Sequence, residues 1–357
     1  MKFAFRVDAS SQIGTGHFMR CLTLADVLKQ RDAQIRFVSR HLPGHLRDML
    51  AAKGHQFMPL NSSSSEAISD DLPHAHWLGT SQHADEQDTI QALSDQTWDW
   101  LVVDHYALDA RWESVVRKIT KNILVIDDIA DRQHDCDVLL DQNFYTDMDT
   151  RYTVKVPAHC RLLLGPRYAL LRDEFRQLRE RVNPRTGPVK RILVFFGGVD
   201  VYNYTARAIE ALAYIGSHDL HVDVVIGAQH PCREQIEFKC VQHGFICHVQ
   251  TPRMAELMAA ADLAIGAGGS ASWERCCLGV PALIVASADN QTDIATALDL
   301  FGACIYLGSL EKASAPVMRK GLIDLLNHQS RLAALSEKSY LLVDGQGIDR
   351  LCQSLGY

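Results

Sequence analysis

Short apolar runs alternate with helical patterns along this chain, and the alternation starts twice. The first series of candidate strands covers residues 3–7, 34–39, 100–103, 122–126 and 138–141. A helix over 17–30 follows the first of them, with Leu22, Ala25 and Leu28 on its buried face. The second series opens at Arg191-Ile192-Leu193-Val194-Phe195-Phe196, and a helix over 204–215 follows. Further strands are expected at 221–226, 246–249, 263–266 and 282–285. Such alternation specifies a doubly wound α/β chain with parallel sheets. At 357 residues the chain exceeds one ordinary core, so two Rossmann-like domains are expected. The segment 182–188, with two prolines and a glycine, is the linker candidate. It divides the chain into 1–182 and 189–357, the last helix being free to pack back on the N-terminal domain. Asn61-Ser62-Ser63-Ser64-Ser65 reads as a polar loop inside the first half. Open α/β sheets bind ligands beyond the carboxyl ends of their strands, so two such sheets facing each other share one cleft.

Composition narrows the partners. The net charge of −7 gives no broad basic surface for nucleic acid or an anionic membrane. An anionic ligand therefore has to be held locally, by helix ends and a few placed side chains. No stretch is long and apolar enough to span a bilayer, and the opening Met1–Asp8 lacks the apolar run of a secretion signal. The 10 cysteines are scattered without a paired framework, which points to reduced thiols and the cytoplasm. Nothing indicates an obligate protein partner or a cofactor.

Three motifs carry chemistry. The first runs Asp8-Ala9-Ser10-Ser11-Gln12-Ile13-Gly14-Thr15-Gly16-His17-Phe18-Met19-Arg20. Gly14 and Gly16 permit a tight turn and close backbone approach to a ligand. His17 then falls at a helix N-terminus, where the dipole disfavours a positive charge and a neutral imidazole suits a general base. A helix-capping turn with a solvent-facing histidine fits the same residues. Asp8 and Arg20 flank this turn as candidate ligand contacts.

The second motif is Gly266-Ala267-Gly268-Gly269-Ser270-Ala271-Ser272-Trp273-Glu274-Arg275. Strand, glycine turn and helix start offer free N–H groups to a phosphate, notably around Gly268, Gly269 and Ser270. Glu274, one turn in, is placed to accept from sugar hydroxyls. The third motif pairs Gly197, Gly198, Asp200 and Asn203 with Asn290 and Gln291, both groups just beyond expected strands. The glycines admit a phosphate or sugar, and the amides suit hydroxyl or acetamido groups. Asx turns and helix caps account for these residues equally well. Cys232, Cys240, Cys247, His243 and His248 match no common zinc spacing, so no metal site is expected. Of the adjacent Asp127 and Asp128, at most one faces the cleft.

Taken together, GTGHFMRCLTLA, GGVDVYN, GAGGSASWERCCLGVPALIV, DNQ, VVDHYALDARWE and VIDDIADRQHDCDVLLDQN resemble a known family. It is the family of UDP-2,4-diacetamido-2,4,6-trideoxy-β-L-altropyranose hydrolases of pseudaminic acid biosynthesis, itself similar to UDP-GlcNAc transferases of GT-B fold. The resemblance spans nearly the whole chain. It implies that His17 activates water, that Gly268–Ser270 holds the UDP pyrophosphate and Glu274 the ribose, and that Asn290 lies by the sugar. It implies a UDP-sugar as the small-molecule partner and UDP plus the free sugar as products. Val199 stands where the family pattern leads one to expect serine. A UDP-sugar glycosyltransferase of the same fold, or a non-catalytic nucleotide-sugar sensor, is the alternative. Release of UDP without an acceptor separates the first from a hydrolase, and absence of turnover marks the second.

Overall fold

The computed structural model describes residues 1–61, 70–216, 219–309 and 312–357; the polar loop expected at 61–65 lies, beyond Asn61, outside them. The chain forms two compact units. The first comprises Met1–Asn143, Asp147–Leu170 and Gly347–Tyr357, the second Phe144–Thr146 and Leu171–Gln346.

In the first unit the strands are β1 (Lys2–Val7), β2 (Gln34–Ser39), β3 (Gln56–Pro59), β4 (Trp98–Asp104), β5 (Thr120–Ile126), β6 (Val138–Asp141) and β7 (Arg161–Leu164). They pair in parallel in the order β3-β2-β1-β4-β5-β6-β7. Side chains alternate across the sheet, so each strand feeds two cores. Phe3, Phe5 and Val7 pack with Phe18, Leu22, Ala25 and Leu28 of the helix Gly16–Gln30. Ala4 faces the other layer, with Leu101, Val103 and Trp112. The last helix, Gly347–Ser354, adds Ile348, Leu351 and Cys352 to the first of these cores.

Arg6 breaks the apolar alternation of β1, yet it is fully buried. Its guanidinium donates to Asp8 at 2.7 and 3.1 Å and to Asp85 at 3.0 and 2.7 Å. Asp85, on the helix Gln82–Leu93, also accepts from Arg40 at 3.1 and 3.2 Å and from the Trp112 indole at 3.2 Å. A buried charge is tolerable only when paired and hydrogen-bonded, and this network meets that condition.

In the second unit β8 (Arg191–Phe195), β9 (His221–Ile226), β10 (Ile246–Val249), β11 (Leu263–Ala267), β12 (Ala282–Ala286) and β13 (Ile305–Ser309) form a parallel sheet in the order β10-β9-β8-β11-β12-β13. Ile192, Val194, Ile226, Ile265 and Leu283 build its core with the helices that flank it.

The stretch read as a linker, 182–188, lies inside the second unit. Arg185 fixes it there, donating to the carbonyls of Ala259 (2.8 Å), Ala261 (3.1 Å) and Leu278. Ala259 belongs to the last turn of the helix Met254–Ala260, whose carbonyls lack intrahelical partners. Prolines and a glycine thus mark an anchored strap, and the chain passes between the units at 143–144, 146–147, 170–171 and 346–347.

Replacing Asp85 by alanine strands Arg6 and Arg40 without their shared carboxylate. Urea unfolding followed by circular dichroism is expected to show a loss of roughly 3–5 kcal/mol.

Candidate active site

The turn after β1 is shaped by local hydrogen bonds. Ser10 Oγ accepts from the N–H groups of Gln12 and Ile13, and Gly14 N–H donates to Ser10 O at 2.8 Å. Gly14 has φ +76°, a left-handed value that favours glycine. Gly16 has no such constraint; a Cβ at either glycine would meet open space. Thr15 caps the helix without a side-chain bond, which places His17 in the first helical turn.

Asp104 ends β4 beside Val7 of β1. Its buried carboxylate lies 2.6 Å from His17 Nδ1 and accepts from Arg20 Nε at 2.6 Å and Nη2 at 2.7 Å. Cys21 Sγ adds a weaker donor at 3.5 Å. Burial opposes ionisation of Asp104, but Arg20 and His17 hold its carboxyl far below the usual range. An ionised Asp104 fixes the tautomer: Nδ1 carries the proton and donates, and the Nε2 lone pair is left for other work.

Arg20 also donates to Asp128 Oδ2 at 2.8 Å, and Tyr106 donates its hydroxyl to the other Asp128 oxygen. The Tyr106 ring lies edge-on to His17, centroids 4.7 Å apart, and stacks on Trp77 at 5.4 Å. Asp127 turns the other way: it is fully buried and takes Arg132 at 2.9 Å, Tyr152 OH at 2.9 Å and Ala130 N–H at 2.9 Å. Of the acidic pair, Asp128 is therefore the one beside His17.

Asp8 does not face a ligand. It is fully buried, bound by Arg6 and by the N–H groups of Arg40 (2.8 Å) and His41 (3.2 Å), with His105 Nε2 at 3.3 Å. Its position one residue beyond the strand suggested a role on the surface, but the charge of Arg6 claims it.

In the second unit the glycine turn follows β11. Gly266 is a close approach within the fold: a Cβ there would stand 2.3 Å from the Phe195 carbonyl oxygen. Gly268 N–H is committed to Val285 O at 3.0 Å. Ser272 N–H and Trp273 N–H fold back onto Gly269 O and Ser270 O at 2.9 and 3.0 Å. That leaves the N–H groups of Gly269, Ser270 and Ala271 without an acceptor among the described residues. Gln291 Oε1 accepts from Ser287 N–H and Oγ, each at 3.0 Å, which orients its Nε2 toward Gly269. Three consecutive free amides and a carboxamide donor form an anion-binding arrangement.

Around it, Glu274 is half-buried with Arg172 Nη2 3.6 Å away, and burial raises its carboxyl against the pull of Arg172. Asn290 is exposed on a single 3-10 turn. Gly197, φ +98°, and Gly198 border open space.

Asp200 and Asn203 have other duties. Asp200 accepts from Tyr204 N–H (3.0 Å), Thr205 N–H (2.8 Å) and Thr205 Oγ1 (2.7 Å), and Asn203 accepts from Ala206 N–H (3.3 Å). Both cap the helix Tyr204–Ile215, the alternative open from sequence. Among the described residues no three His, Cys, Asp or Glu side chains gather as metal ligands.

Residues 191–346 match the glycosyltransferase family 28 C-terminal domain. Across 213 residues the chain is 29% identical to a UDP-2,4-diacetamido-2,4,6-trideoxy-β-L-altropyranose hydrolase of Campylobacter jejuni, covering 59% of this chain and 66% of that protein. A spore coat polysaccharide biosynthesis protein of Bacillus subtilis is 28% identical over 212 residues, 57% of this chain and 60% of its own. The chain thus spans less than two thirds of the length of either relative. MurG of Acinetobacter baumannii superposes with a TM-score of 0.66 at 14% identity, covering 99% of this chain and 98% of MurG. Anabaena HepE, solved with UDP-glucose, gives 0.57 at 11% identity with 99% of each chain covered. The fold is GT-B. The hydrolase resemblance seen in the motifs extends through this measured likeness.

The sequence reading passed over Asp104 and Tyr106 as individual site residues. The signal was there: an apolar strand ending in Asp-His-Tyr puts polar groups at the carboxyl edge of a parallel sheet.

Asp8, Asp104 and Asp127 are all held below the usual carboxylate range, burial opposing and Arg6, Arg20 and Arg132 prevailing. Carboxyls lowered in the folded state stabilise fully above their unfolded value near ~3.9 and lose that contribution as pH falls below it. Asp141, raised by burial and by Asp128, works in the opposite sense. The lowered carboxyls outnumber the raised Asp141 and Glu274, so the urea midpoint is expected to drop steeply as pH falls below about 4, and less steeply in Asp104→Asn.

Proposed function

We propose that the protein hydrolyses a UDP-sugar of the diacetamido-trideoxy-hexose class, releasing UDP and the free sugar. The observation that carries the reading is His17, tied through Nδ1 to an ionised Asp104 at 2.6 Å, with Nε2 unengaged among the described residues. A base held in one tautomer by a carboxylate is the arrangement general-base catalysis requires. The substrate class comes from the Campylobacter relative's name.

In the proposed step His17 Nε2 takes a proton from water as the water oxygen bonds to the anomeric carbon. The bond from that carbon to the phosphate oxygen breaks, and UDP leaves with the electron pair. Attack opposite the leaving group inverts the centre. Asp104 stabilises the imidazolium. The amides of Gly269, Ser270 and Ala271, with Gln291 Nε2, are assigned to the diphosphate, where they offset its growing charge. Glu274 is assigned to the ribose, Asn290 to the sugar, and Gly197 and Gly198 to room for the ligand. The place of action is assigned to the cytoplasm, where nucleotide sugars are made.

His17→Asn is expected to lower turnover by about 10²-fold or more. Its UDP affinity should stay near wild type, since phosphate binding is assigned to the other unit. In ¹⁸O-water the label is expected on the anomeric carbon of the sugar. Label in the phosphate of UDP would mean attack at phosphorus, and near-normal turnover in His17→Asn would remove the base from this scheme. UDP release that depends on an added acceptor would identify a transferase.

Turnover is also expected to persist in EDTA, because backbone amides take the charge-neutralising role. Loss in chelator with recovery on adding Mg²⁺ or Mn²⁺ would overturn that assignment.

A further inference from the structure

Arg275 follows Glu274 on the helix Ala271–Cys277 and is buried, only 2% exposed. Its Nη2 donates to Ala267 O at 2.7 Å and Ser272 Oγ at 2.9 Å, oxygens on either side of the glycine turn. Its Nε has no partner among the described residues. Among them no carboxylate pairs with it either, so both acceptors are neutral. Buried guanidinium groups elsewhere in this chain behave differently: Arg6 and Arg132 each engage two carboxylates.

A buried cation without a directly paired carboxylate is costly: burial pulls the Arg275 guanidinium below its ordinary value, and the neighbouring Glu274 offsets this only in part. Clamping the turn explains the two hydrogen bonds, which a neutral donor would also supply. The charge itself is hydrogen-bonded to no carboxylate among the described residues. Gly266 makes room for it, since a Cβ there would stand 3.0 Å from Arg275 Nη1. The same turn presents three consecutive free amides at Gly269, Ser270 and Ala271. A diphosphate anion on those amides would supply a closer counter-charge.

We infer that Arg275 is a positioning residue for the diphosphate: it clamps the glycine turn from within and lends the anion a buried positive charge. The inference rests on the UDP reading above and deepens it. It touches no reacting atom. It acts through the turn, and its effect depends on the ligand's phosphate charge rather than on the nucleoside.

Isothermal titration of the full chain with UDP, UMP and uridine tests it. In Arg275→Gln, UDP affinity is expected to fall roughly tenfold or more, while uridine affinity changes by less than about twofold, with UMP between them. Arg275→Lys, which keeps the charge but not the two-point clamp, should recover part of the loss. If Arg275→Gln does not fold, Arg275→Lys and Ser272→Ala carry the test; Ser272→Ala removes one anchor of the guanidinium. A loss of UDP affinity in them with uridine unchanged supports the assignment. UDP and uridine affinities that fall together, or a UDP affinity that does not move, mean a merely structural arginine and overturn it. A wild-type chain that binds no UDP overturns the underlying reading as well, so the two failures are distinguishable.

Discussion

The carboxylate of Asp104 organises the first unit's site. It stands at the end of β4, next to β1 in the middle of the sheet, and receives His17, two nitrogens of Arg20 and the Cys21 thiol. These donors occupy successive turns of one helix face, so a single acceptor sets both the seating of the helix on the sheet and the rotation of the imidazole. The arrangement requires an ionised carboxylate in a buried place, and Arg20 provides for that. Cation, base and helix position are thus fixed by one group. Removing Asp104 changes the histidine's tautomer and the local charge together, so its effect is not that of a single lost hydrogen bond.

The second unit handles charge by other means. Its glycine turn contains no exposed basic side chain, and a chain of net charge −7 has no general attraction for anions. The donors are backbone N–H groups with fixed direction. They cost no side-chain entropy on binding and need no reorganisation as charge develops. What distinguishes this turn from any strand-to-helix turn is which amides are left over. Gly268 is spent on Val285, and the first helical turn closes on itself, so the free set begins one residue later than glycine density alone suggests.

The α/β architecture was legible because parallel strands buried on both faces read as continuous apolar runs, whereas the GT-B class came from the family resemblance of the motifs. The strands that escaped, Gln56–Pro59, Arg161–Leu164 and Ile305–Ser309, are short edge strands of partial burial. Residue roles were harder to read, for a physical reason. Asp8, Asp200 and Asn203 sit just past strands in glycine-bearing turns, where both ligand contacts and caps belong. Only the partners decide between them: neighbouring Arg6 and remote His105 claim Asp8, while Asp200 and Asn203 serve the amides of their own helix. Asp104 has the converse history. It lies 87 residues from His17, and no local pattern couples the two. The Asp104 carboxylate, not the helix dipole, sets which imidazole nitrogen of His17 carries the proton.

The charged groups around His17 do not balance while its imidazole is neutral. Asp104 and Asp128 contribute two carboxylates, Arg20 one guanidinium, and Tyr106 stays neutral because burial and Asp128 push its hydroxyl well up. With a neutral imidazole the cluster is one negative charge in excess. The imidazolium formed on taking a proton from water brings it to balance. In a partly buried site, where the effective dielectric is low, that balance matters more than any single distance. Tyr106 and Trp77 supply the low-dielectric wall on one side of the ring. A group so placed suits the activation of one bound water, as the proposed hydrolysis requires.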